Sequence, residues 1–130
     1  MENVIKIIDE LTALKKDTDL FAYDMPLGKS GLWISDSQTP SKFNDTGIQR
    51  FDIYYRGKVK ASGLANTKYL KDTIDSLRGS TGTCRLADGT SFRLSILYSW
   101  DFLEKDYEGY FVWSNQLELL CDEPADILSA

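Results

Sequence analysis

Two long stretches near the C-terminal end alternate apolar and polar side chains, a period that an amphipathic helix does not show. From Thr90 to Trp100, Phe92, Leu94, Ile96, Tyr98 and Trp100 share one side, and Arg93, Ser95 and Ser99 share the other, with Leu97 the exception. From Tyr110 to about Cys121, Phe111, Trp113, Leu117, Leu119 and Cys121 recur in the same way, with Asn115 the odd polar member. A period of two belongs to strands with one face on a core. Thr83 to Ala87 leads through Asp88-Gly89, a two-residue turn signal, into the first stretch. The C-terminal third therefore reads as a long antiparallel pair, with a loop from Asp101 to Gly109 between its members.

Such a sheet needs cover, and the rest of the chain supplies two helical patterns. Asn3 caps a first helix through about Lys16, with Val4, Ile7, Ile8, Leu11 and Leu14 at helical spacing. Asn66 caps a second, carrying Leu70, Ile74 and Leu77 and ending at Gly79. Between them, Leu20-Phe21-Ala22-Tyr23 and Gly31-Leu32-Trp33-Ile34-Ser35 read as short strands separated by the turn Met25-Pro26-Leu27-Gly28. Residues 36 to 47 are polar and turn-rich and read as a long surface loop. A further strand spans Ile48 to Lys58, with Phe51, Ile53 and Tyr55 facing inward and Arg50, Asp52, Tyr54 and Arg56 outward. Gly57, Ser62 and Gly63 loosen the connection that follows. The expected fold is a single α+β domain over residues 1–130: a mixed, mainly antiparallel sheet with two helices packed on one face. Residues 122–130 are expected to form a flexible C-terminal extension.

Composition narrows the function. At 130 residues, 42% hydrophobic and 12% aromatic, the chain supports one real core. No apolar run approaches the roughly 20 residues of a membrane span, and Met1-Glu2-Asn3-Val4 lacks the basic start of a secretory signal. A net charge of −5 with a pI near 4.7 is the wrong balance for phosphate binding. The local cluster Arg56, Lys58 and Lys60 reads as a solvated strand end. Cys84 and Cys121, without a secretory signal, are expected to be reduced thiols in strands, and their spacing matches no zinc pattern.

The chain contains no histidine, which removes the usual neutral-pH base and every Ser-His or Cys-His nucleophile. Asp101, Glu104, Asp106 and Glu108 crowd one loop beside Trp100 and Tyr107, but without calcium-loop spacing or its central glycine, and they read first as solvated carboxylates. Gly79-Ser80-Thr81-Gly82 has no following lysine and leads into a strand, so it is a turn rather than a phosphate cradle. The reading is of a non-enzyme with no metal and no cofactor. What remains is an aromatic surplus, since two short helices cover only one face of a sheet carrying Phe51, Tyr54, Tyr55, Tyr98, Trp100, Tyr110, Phe111 and Trp113. The expected protein-contact residues are Asp36, Gln38, Lys42, Phe43 and Asn44 in the long loop, Arg56 and Lys58 at the strand end, and Glu104, Asp106 and Tyr107 in the acidic hairpin.

The segment Gln49-Arg50-Phe51-Asp52-Ile53-Tyr54-Tyr55-Arg56-Gly57-Lys58 followed by Asn66 to Gly79, within the order of elements from Asn3 to Cys121, resembles the small minor capsid or tail-terminator proteins of long-tailed bacteriophages. Arg56-Gly57 matches the arginine-glycine ending often found on that family's strand. The resemblance implies a virion protein, made in the host cytoplasm, that forms a homo-hexameric ring at the head-proximal end of the tail. Its partners would be itself, the tail tube protein and the head–tail connector protein, with no membrane and no specific nucleic-acid binding although DNA passes the channel. The family offers no catalytic residues to carry over. Three other readings stand beside it: another small head–tail completion protein, an acidic inhibitor- or immunity-type binding module, and a carboxylate-dependent hydrolase using the acids of the hairpin.

Overall fold

The strand at Ile48 and the strand that ends at Cys121 pair with each other at the centre of the sheet. The computed structural model describes residues 2–36, 48–76, 84–85 and 91–121. Its elements are α1 (Glu2–Leu11), β1 (Leu20–Ala22), β2 (Gly31–Asp36), β3 (Ile48–Gly57), α2 (Lys60–Ser76), β4 (Cys84–Arg85), β5 (Ser91–Ile96), β6 (Asp101–Lys105) and β7 (Phe111–Cys121). The expected loop over 37–47, the Asp88-Gly89 turn, the helix end at Leu77 to Gly79 and the extension 122–130 lie outside the described residues.

The sheet has seven strands in the order β1-β2-β3-β7-β5-β4, with β6 paired to β7 beside β5. Among the described strands, β1 and β2 run parallel and the other strand pairs are antiparallel. The α+β class with a mixed, mainly antiparallel sheet is therefore as expected. Cys84 and Cys121 both stand opposite Phe92, from either side. Two strand spacings, about 10 Å, separate their backbones, beyond the reach of a disulfide.

Register decides which side chains share a face. Leu32 lies opposite Tyr55, Ile34 opposite Ile53, Tyr55 opposite Trp113, and Phe51 opposite Leu117. These residues join Phe92, Leu94 and Ile96 of β5, Val4, Ile5, Ile7 and Ile8 of α1, and Leu70 and Ile74 of α2 in one buried cluster. Both helices thus cover the same face. Removing each such side chain from water contributes roughly 1.5–3 kcal/mol, which outweighs the short helices' own marginal stability.

Four details differ from the sequence reading. The first helix stops at Leu11 instead of continuing to Lys16. The Thr12 hydroxyl donates to the Ile8 carbonyl and accepts from the Leu14 amide, turning the chain early while Leu14 still packs on the core. The second helix begins at Lys60, six residues before the expected Asn66 cap. Gly63, read as loosening, sits inside that helix with the Trp113 ring where a Cβ would be. Asn66 does not cap but donates from Nδ2 to the Tyr55 hydroxyl at 2.6 Å.

The third difference is that the expected strand from Thr90 to Trp100 is interrupted. After Ile96 the chain leaves the ladder, and Asn115 of β7 fills the gap. Its Oδ1 accepts from the Tyr98 amide at 3.2 Å, and its Nδ2 donates to the Tyr98 carbonyl at 2.9 Å. Tyr98 is exposed instead of inward, and Trp100 is only half-buried. Finally, the expected loop from Asp101 to Gly109 is mostly strand. Its first five residues form β6, with a bulge at Leu103 between the pairs Phe102–Trp113 and Glu104–Val112. The remainder is a tight turn: Asp106 Oδ1 accepts from the Glu108 and Tyr110 amides, and Gly109 takes φ 87°, a value that favours glycine.

Candidate functional site

The face of the sheet turned away from both helices has no covering element among the described residues. Alternation places Trp33 and Ser35 of β2, Arg50, Asp52, Tyr54 and Arg56 of β3, and Val112, Ser114, Gln116 and Glu118 of β7 on it. Asp101 opposite Ser114 and Glu104 opposite Val112 extend the face across β6. At its middle Trp33 and Tyr54, cross-strand partners, stack with ring centroids 4.8 Å apart and planes 20° apart. Burial of the Tyr54 hydroxyl, followed by the nearby Asp52 charge, raises the tyrosine's pKa.

An open cleft flanks the stack on each side. One, about 410 Å³, is lined by Asp52, Tyr54, Tyr98, Asp101, Leu103 and Gln116 among others. Gln116 Nε2 donates to Asp52 Oδ1 at 3.2 Å across its floor. The other, about 520 Å³, lies between Trp33 and the turn after β6, with Asp24, Met25, Leu27, Glu104 and Tyr107 on its walls. Leu27, Tyr98, Leu103 and Tyr107 are exposed around these clefts, Tyr107 to 89%. A third concavity, away from this face, runs between α1 and β1 past Ile5, Asp9, Lys16 and Tyr23.

The rim of the second cleft is held by Arg56, whose side chain is only 6% exposed. Its Nε donates to Asp106 Oδ2 at 2.8 Å, its Nη2 pairs with Glu108, and its Nη1 donates to the Lys29 carbonyl at 3.3 Å. The guanidinium also lies 4.0 Å over the Tyr110 ring. Partial burial acts to raise the Asp106 pKa. The amides of Tyr110 and Glu108 and the Arg56 charge outweigh it and hold the carboxyl below its ordinary value. One buried cation therefore ties the turn at 106–109 to β3 and to the Pro26-Lys29 turn.

The expected contact residues separate accordingly. Glu104 and Tyr107 are exposed on or beside the helix-free face, and Lys58 is exposed just beyond β3, its ammonium 5.7 Å over the Tyr110 ring. Asp36 is exposed at the end of β2. Arg56 and Asp106 are engaged internally; Arg56 is no solvated strand end, and Asp106 and Glu108 are no solvated acids. Gln38, Lys42, Phe43 and Asn44 lie outside the described residues. The sequence reading missed Trp33 as a surface aromatic, because Leu32-Trp33-Ile34 is apolar throughout and shows no alternation. Among the described residues, no group of three or more Asp, Glu or Cys side chains is placed to hold a metal ion. No protein-family model matches this chain, and no curated protein is similar to it in sequence.

Proposed function

We propose that the protein is a non-catalytic structural subunit that works through its helix-free sheet face, and that it acts as a tail-terminator-like ring protein of a long-tailed bacteriophage. The carrying observation is the Trp33–Tyr54 stack set between two open clefts, on a face that neither helix covers. Tyrosine and tryptophan supply large contact area at small entropic expense and concentrate at the centres of protein interfaces. The Arg56 clamp supports the same reading, because a rigid rim presents its contacts with little ordering left to do on association.

A closed ring needs two different complementary surfaces on each subunit. The helix-free face serves as one, and the α2 side of the molecule as the other. The resemblance carried by the β3–α2 segment adds the ring's place, between tail tube and head.

Electron microscopy of the pure, concentrated protein tests the proposal. Rings with a central hole, which bind tail-tube subunits, are the expected result. A strict monomer at high concentration that binds no tail-tube subunit would overturn it, and a one-to-one complex with a basic partner would replace it with the inhibitor-type reading.

A further inference from the structure

The charges around the aromatic stack and those at the start of α2 have opposite signs. On the helix-free face, Asp24, Asp52, Asp101 and Glu104 border the two clefts, and none has a cation within ion-pair distance among the described residues. The face's own arginines at 50 and 56 are already paired, with Glu118 and with Asp106 and Glu108. The acids therefore leave a local excess of negative charge beside exposed Leu103 and half-buried Trp33 and Tyr54.

On the opposite side of the molecule, Lys60, Leu64 and Lys68 are exposed and fall one helical turn apart on α2. Lys58 and Val59 extend this stripe just before the helix, and Val59 and Leu64 are both more than half exposed. The first turn of α2 carries no acid, and the helix has none before Asp72. Lysines at the positive end of a helix are the reverse of the arrangement that stabilises one. Within the subunit the Lys58 and Lys60 ammoniums lie 5.7 and 4.6 Å over the Tyr110 and Phe102 rings, and their exposed charge, with that of Lys68, leaves this corner positive and suited to a negative surface.

We infer that the two surfaces are mates: the Lys60–Leu64–Lys68 stripe of one copy docks on the acidic aromatic face of the next, with its lysines on Asp101 and Glu104 and its apolar residues over the Trp33–Tyr54 stack. This rests on the ring reading above and gives that ring its subunit interface. The two surfaces lie on opposite sides of the sheet, so the contact is head-to-tail, the kind that closes a ring or continues as a filament. Each subunit carries net −5, so association needs local opposite charges at the contact to offset the general repulsion.

A charge-swap experiment tests the pairing, using only exposed positions. One variant carries Lys60→Glu and Lys68→Glu; the other carries Asp101→Lys and Glu104→Lys. Each alone places like charges across the contact, and self-association measured by sedimentation should weaken about a hundredfold. Mixed in equal amounts, the two variants present opposite charges at every contact of an alternating assembly, and so does the chain carrying all four substitutions. Both should regain assembly. If either double variant assembles as the wild type does, or if the losses are not rescued in the mixture or the fourfold chain, the interface is elsewhere while the ring reading stands. If the wild type itself never assembles, both fall.

Discussion

At Gly63 a hydrogen in place of a methyl group lets α2 rest on the fully buried Trp113 ring. Replacing it with alanine drives Cβ into the six-membered ring, and neither the helix backbone nor the enclosed indole has room to yield. Gly63→Ala should destabilise the protein by about 1–3 kcal/mol in urea unfolding, although alanine is the better helix former. At Arg56 the issue is charge. Arg56→Ala leaves Asp106 and Glu108 facing each other without their cation and should remove about 2–3 kcal/mol, less than for a fully buried pair because both acids keep some solvent. The Asp106 carboxyl has a lower pKa folded than unfolded. Its contribution is thus complete above the unfolded value of about 3.9 and disappears as pH falls through the folded one. Unfolding curves at about pH 7 and about pH 3 should show wild type losing more stability on acidification than Asp106→Asn does.

Among the elements, the β5–β6 break depends on one side chain. Asn115 stands on the buried face where its neighbours Trp113 and Leu117 are apolar, and it satisfies both backbone groups of Tyr98. Asn115→Ala should cost about 1–3 kcal/mol and speed amide exchange at Leu97 and Tyr98 while leaving β3 protected. The sequence shows Asn115 as an odd polar member of a strand but not the reason, because its partner is a backbone seventeen positions earlier in a stretch that looks continuous. β3 and β7 were legible because their alternation is clean. The start of α2 was not, since its buried stripe runs Gly63, Thr67, Leu70, Ile74, and its first two members carry no hydrophobic signal. β6 was hidden by its acids and by the bulge at Leu103, which breaks the period of two.

Among the described residues, both helices lie on one face of a seven-stranded sheet, and the other carries aromatics and acids of which several have no ion-pair partner. The sequence shows that there are more aromatics than two short helices can cover, but not which ones stay outside. That choice is set by register, which puts Trp33 beside Tyr54 and away from Leu32 and Ile34. Likewise the acidic hairpin is visible in the sequence, while its division into clamped and free carboxylates depends on where Arg56 lands. Oxidative footprinting of the protein when dilute and when concentrated tests the working-face claim most directly. Assembly should strongly protect Trp33, Tyr54 and Leu103 from labelling. Equal labelling of these residues in the monomer and in the assembled form would show that the helix-free face is not a contact surface, and would contradict the account.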